Sequence, residues 1–178
     1  MLSDDVTKLI NREGIEATHD QYQDMDLIYQ HLKKIAHGQR LKVQDAGLNT
    51  TALVNEAWLK SQKNKNTFND RNHFFAYCSL AMRHILLNEA KKNRAMTYLD
   101  DTIVPELEVI NESDYLIELD RCLTKLKSYN ERLEKVFTYK FFGDMDFIDI
   151  ADVMNLSERT VFRDWQKART MLAAAMQT

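Results

Sequence analysis

Glycine and proline are almost missing from this chain. Four glycines (Gly14, Gly38, Gly47, Gly143) and one proline (Pro105) must serve 178 residues. Tight turns draw on those two residue types, so a β-rich fold with many hairpins has too little turn material. Long helices joined by few connections are the natural reading, and the fold class expected is all-α. Apolar content of 44% is ample for a core, and the length suits one medium domain or two small ones.

Apolar periodicity places the helices. Residues 1 to 20 form an acidic extension, a short helix or a frayed end. Tyr22, Met25, Ile28, Tyr29, Leu32, Ile35 and Ala36 recur at helical spacing, predicting a helix over 21–44. After the break at "QDAGLN", a helix starts near Thr50 and runs to about Ser61. "QKNKNTFNDRN" reads as a polar loop. His73 to Asn93 reads as a long helix with Phe74, Cys78, Ala81, Met82 and Ile85 on its apolar side. Four further helices are expected at about 115–127, 130–141, 146–154 and 158–175.

Charge divides the chain. Residues 100–120 carry eight acids and no Lys or Arg, whereas 71–94 carry five bases against Glu89 alone. The organisation predicted is an extension at 1–20, a helical domain at 21–94, an acidic linker at 95–114 and a second helical domain at 115–178. A formal net charge of −3 argues against indiscriminate nucleic-acid binding by the whole chain, but the basic stretch marks a local nucleic-acid surface. Charge attraction between 100–120 and the basic helix would pack the domains together and cover both DNA surfaces, a hypothesis the sequence leaves open.

"DFIDIADVMNLSERTVFRDWQKARTML" holds the most specific pattern. A helix-turn-helix needs a small residue where its helices meet, a turn that accepts left-handed geometry, and apolar anchors on both sides. Ala151 supplies the first. Asn155 stands where glycine is commonest and tolerates the left-handed region. Ile150, Met154 and Leu156 are anchors, and Ser157 suits the N-cap of the second helix. On that helix Val161, Trp165, Ala168 and Leu172 share one face. Arg159, Arg163, Gln166 and Thr170 share the other, flanked by Thr160 and Lys167. In a major groove this second face meets base edges and phosphates. A solvated helix with ordinary surface arginines is the alternative.

Taken with "TALVNEAWLK" and "HFFAYCSLAMRHILLNEAKKNR", this motif gives the chain a resemblance to bacterial extracytoplasmic-function (ECF) sigma factors. The three stretches look like region 2.2, the minus-ten segment and region 4, in the family's order, and the likeness covers residues 21 to 175. The resemblance implies a non-catalytic specificity subunit that directs RNA polymerase to promoters. Its partners would be core polymerase, through the β′ coiled coil and the β flap, and promoter DNA. The loop at 64–72 and the helix from His73 would hold single-stranded bases, with Arg83, Lys91, Lys92 and Arg94 on phosphates. Phe68, Phe74, Phe75 and Tyr77 are the aromatics available for base stacking beside that basic track, although residues such as Phe74 and Phe75 are more often core. In region 4 the DNA contacts implied are Ser157, Arg159, Thr160, Arg163, Gln166 and Lys167. Asp164 departs from the family, where a basic residue is common.

The region 2.2 helix departs further. Leu53, Val54, Ala57 and Trp58 share a face for burial. Thr51, Ala52, Asn55, Glu56 and Leu59 form the face a polymerase would meet. Relatives carry acidic residues at the start of this helix; here stand Asn49, Thr50, Thr51 and Ala52, all uncharged. Either Thr50 or Thr51 is simply the N-cap, or a threonine is phosphorylated. A phosphothreonine brings about −1.5 to −2 charges near neutral pH, and a helix N-terminus favours it. Thr51 is preferred over Thr50 because it shares the stripe with Asn55 and Leu59. A Ser/Thr kinase then joins the expected partners.

Other chemistry finds little support. His31, His37, His73, His84, Cys78 and Cys122 give no zinc spacing, so neither metal nor cofactor is expected. There is no phosphate-cradling glycine loop and no nucleophile or zinc-protease motif, so no enzyme is expected. "GDMDF" reads as a turn and N-cap rather than a carboxylate pair. "MLSDDVTKLINREG" lacks an apolar core for a signal peptide, and no stretch reaches membrane-spanning length. A cytoplasmic protein with reduced thiols is expected. The competing function is a polymerase-independent helix-turn-helix regulator whose N-terminal helices sense or dimerise.

Overall fold

The computed structural model describes residues 4–11, 19–43, 48–63, 67–99 and 112–177. Every regular element among them is helical: α1 (Asp4–Asn11), α2 (His19–Val43), α3 (Thr50–Lys63), α4 (Arg71–Leu99), α5 (Glu112–Tyr129), α6 (Glu131–Phe141), α7 (Phe147–Met154) and α8 (Glu158–Met176). The chain is all-α.

Several ends are set by identifiable caps. α4 starts two residues before His73 because Asp70 caps it: the Asp70 carboxylate accepts from the His73 N–H at 2.9 Å, and its carbonyl from Phe74 at 3.2 Å. α6 is capped by Asn130, whose side-chain oxygen accepts from the N–H groups of Arg132 and Leu133. Glu131 and Glu134 in its first turn complement the helix dipole. α4 runs on to Leu99 and α5 begins at Glu112, so both ends of the expected linker at 95–114 are helical. Its central part, 100–111, lies outside the described residues, as do 1–3 and 12–18 of the N-terminal extension and 64–66 of the expected polar loop.

The core runs through both halves of the chain. Ile28, Leu32 and Ile35 of α2, Leu53 and Val54 of α3 and Phe74, Met82 and Leu86 of α4 belong to one buried cluster with Leu119 and Leu123 of α5, Leu133 and Phe137 of α6 and Leu172 of α8. A second cluster joins Ala76 of α4 to Val136, Met145, Ile150, Ala151 and Val161. α4 therefore packs between the N-terminal helices and α5, α6 and α7. The turn after α6 meets α4 so closely that a Cβ on Gly143 would lie 2.9 Å from Ser79 Oγ and 2.5 Å from the Tyr139 carbonyl oxygen. Only glycine fits there without a shift.

Candidate functional site

Three surfaces carry the candidate residues. The first is α3. Leu53, Val54 and Ala57 are buried and Trp58 is half-buried, its ring meeting Phe74 edge-on at 5.8 Å. Thr51, Asn55, Glu56 and Leu59 are exposed and Ala52 is half-buried. Neither threonine is the N-cap. Asn49 caps α3, accepting the Ala52 N–H on its side-chain oxygen at 2.7 Å and the Leu53 N–H on its carbonyl at 3.1 Å. Asn is as good a cap as threonine, and it leaves both threonines inside the first turn. The Thr50 hydroxyl accepts from Arg40 Nη1 at 3.1 Å.

Beside this first turn lies a feature the sequence did not disclose. Lys33, Lys34, His37 and Arg40 of α2 face Asn49, Thr50, Thr51 and Asn55 across a cleft of about 930 Å³. The four bases fall at three-to-four spacing on one helix, which is the available signal. What they face depends on the packing of α2 against α3. α3 has no acidic residue in its first turn, so the cleft is cationic.

The second surface is α4 with the loop before it. Phe74 and Phe75 are core residues. Phe68 and Tyr77 are half-buried, their rings 5.4 Å apart. The Phe68 backbone is held at both its polar groups by Asn11: its N–H donates to Oδ1 at 2.8 Å and its carbonyl accepts from Nδ2 at 2.9 Å. α1 thereby fixes the loop ahead of α4, a role that Asn11 gives no sign of in sequence. Lys91, Lys92 and Arg94 are exposed, and Arg94 lies 3.4 Å from Asp114.

Arg83, expected on phosphates, has a side chain that is only 6% exposed. Nη2 lies 2.7 Å from Asp120 of α5, while Nη1 lies 2.9 Å from Glu134 and 3.1 Å from the Thr138 hydroxyl, both on α6. Its guanidinium also lies over the Phe142 ring at 5.5 Å. In this conformation two carboxylates occupy the group that a phosphate would need.

The third surface is α7 and α8. Asn155 ends α7 at φ 52°, ψ 50°, in the left-handed region, and the Leu156 N–H reaches back to the Ala151 carbonyl at 2.9 Å. This is the glycine-type helix stop made by asparagine. Ser157 caps α8, accepting from the Thr160 N–H at 3.2 Å. Val161, Ala168 and Leu172 are buried. Ser157, Arg159, Arg163, Gln166 and Lys167 are exposed and Thr160 is half-buried. Arg159, Thr160, Arg163 and Gln166 line a shallow concavity with Phe162, which is 47% exposed and was not singled out from sequence. Asp164 does not face that concavity. It is buried and paired to Arg132 of α6 at 2.7 Å, so the unusual acid ties α8 to its support.

Burial pushes the thiols of Cys78 and Cys122 upward, which keeps them protonated at neutral pH. Burial lowers His31 and His84, helped in each case by nearby cations. No group of His, Cys, Asp and Glu among the described residues could hold a metal ion. No described helix is long and apolar enough to cross a membrane.

A family model described as ECF sigma factor matches residues 3–178. No curated protein and no solved structure gives a significant match. The family match spans all three surfaces, and it implies core RNA polymerase and promoter DNA as partners. The chain belongs to the ECF sigma factor family.

Proposed function

We propose that the chain is an alternative sigma factor of a subgroup without the acidic region 2.2 patch, and that phosphorylation of Thr51 switches on its docking to core polymerase. α3 would meet the β′ coiled coil through Thr51, Ala52, Asn55, Glu56 and Leu59. α4 and the Phe68 loop would take the minus-ten element, with Lys91, Lys92 and Arg94 on phosphates. α7 and α8 would act as the helix-turn-helix of region 4 on the minus-thirty-five element, beside the β flap.

The cationic cleft carries the switch reading. A dianion on the first turn of α3 meets the positive end of the helix and the bases Lys33, Lys34, His37 and Arg40. The cleft has ample room for a phosphoryl group. Thr51 suits a kinase better than Thr50, because Thr51 is exposed while Thr50 is half-buried and accepts from Arg40. With the cap held by Asn49, modifying Thr51 costs α3 no capping hydrogen bond.

The test is transcription with core polymerase and either unmodified protein or protein carrying phosphothreonine at 51. Activity is expected only with the phosphorylated form, and Thr51→Ala should stay inactive in the presence of a kinase while folding normally. Full activity from Thr51→Ala would refute the switch and leave the sigma assignment standing.

A further inference from the structure

We infer that Phe162 is a specificity-determining residue of α8, whose ring reads the 5-methyl group of a thymine in duplex DNA. The inference rests on the reading that α8 enters a major groove.

Burial does not account for Phe162. Val161, Ala168 and Leu172 already turn inward, and Asp164 is paired to Arg132. Phe162 stands on the opposite side, 47% exposed, among Glu158, Arg159, Arg163, Gln166 and Lys167. A single exposed phenylalanine is ordinary on a protein surface, but this one is held. Its ring meets Phe147 edge-on, with centroids 5.4 Å apart and planes at 88°. Phe147 begins α7. Lys140 Nζ lies 4.9 Å from the Phe147 ring centroid and donates to the Met145 carbonyl at 2.8 Å. The Phe162 ring is thus braced from α7 before any ligand arrives, so little of its freedom remains to be lost on binding.

The surroundings define the ligand. Phe162 lies within the first two turns of α8, the part of such a helix that meets base edges. Its neighbours in the concavity are Arg159, Thr160, Arg163 and Gln166. Guanidinium forks suit guanine and a carboxamide suits adenine, whereas a phenyl ring offers neither donor nor acceptor. Only thymine places an apolar group, its C5 methyl, on the major-groove edge. The two flanking guanidiniums attract a polyanion to the same concavity and disfavour a wholly apolar protein segment there. Phe162 and Gln166 are four residues apart, about 6 Å along the helix, or about two base-pair steps. The thymine therefore lies within about two base pairs of a purine read by Arg163 or Gln166.

The test uses the full chain, unmodified or phosphorylated at Thr51, alone and with core polymerase, to select sites from random duplex DNA. Each thymine of the enriched site is then replaced singly by deoxyuridine, which keeps base pairing and removes one methyl. At one thymine the replacement should weaken binding by roughly fourfold, the worth of one buried methyl-sized group. Phe162→Ala, with its helices verified by circular dichroism, should bind the thymine and deoxyuridine duplexes equally. Arg163→Ala should bind both more weakly and keep the discrimination.

A site in which no methyl matters, a methyl effect that survives in Phe162→Ala, or a chain that enriches no duplex in any mixture would each overturn the inference. So would a Phe162→Ala protein that loses core-polymerase binding and keeps the discrimination, which would assign the ring to a polymerase surface. Failure of the sigma assignment looks different. Sites would then be enriched by the chain alone, with no need of core polymerase, and the deoxyuridine comparison would still decide the role of Phe162.

Discussion

Replacing Arg83 with leucine is the sharpest energetic probe of how the two halves meet. The substitution leaves Glu134, whose side chain is 9% exposed, without its countercharge. Removing one partner of a buried ion pair costs about 3–5 kcal/mol. Asp120 is 20% exposed and can rehydrate, which favours the lower end of that range. For a chain of this size each kcal/mol moves the melting temperature by about 2–4 °C, so a fall of roughly 6–20 °C is expected. Urea unfolding measures the loss directly, with the slope checked for constancy so that the midpoint reports stability alone. Arg83→Leu combined with Glu134→Leu should recover most of it, because a buried pair replaced by apolar groups is often near neutral. If Arg83 were a surface base awaiting DNA, Arg83→Leu would change stability by no more than about 0.5 kcal/mol. That result would refute the packing argument.

Asn155→Ala places a β-carbon residue at φ 52° and should destabilise α7–α8 by about 1 kcal/mol or more, while Asn155→Gly should be nearly neutral by the same unfolding assay. Burial alone would raise the Asp70 carboxyl, but the hydrogen bonds from His73 outweigh it and hold the group below its ordinary value of 3.8. Its capping contribution is therefore complete above 3.8 and is lost as the pH falls through the lower folded value. The His73 amide resonance should titrate with a midpoint under 3.8, and Asp70→Asn should keep the cap and abolish the titration. Asn11→Ala removes both bonds to the Phe68 backbone, worth roughly 1–3 kcal/mol together. It should impair promoter opening, read by permanganate reactivity, with core-polymerase binding unchanged.

Local signals were legible in sequence and distant partners were not. Asn155 and Ser157 take the roles their residue types suggest, because a left-handed stop and an N-cap depend on a few adjacent residues. The buried stripe of α3 follows from periodicity alone. Its cap was misplaced because Asn49, Thr50 and Thr51 are all capable caps, and only geometry chooses Asn49. The start of α4 was set two residues late, since Asp70 looked like part of a polar loop. The burial of Arg83 was not legible for a different reason: its carboxylate partners lie 37 and 51 residues further along the chain. Asp164 looked like a flaw in a DNA-reading helix until Arg132 appeared beside it. The cationic cleft needs the α2–α3 packing before its four bases face the threonines.

The central claim is best tested by transcription in vitro on fragmented genomic DNA, with transcript starts mapped by sequencing. Core polymerase is supplied alone, with the unmodified chain, and with the chain phosphorylated at Thr51. The account predicts a discrete set of new start sites that requires both core polymerase and the chain phosphorylated at Thr51 and is missing with the unmodified chain. Sequence-specific duplex binding by the chain alone, with no new starts in any mixture, would contradict it.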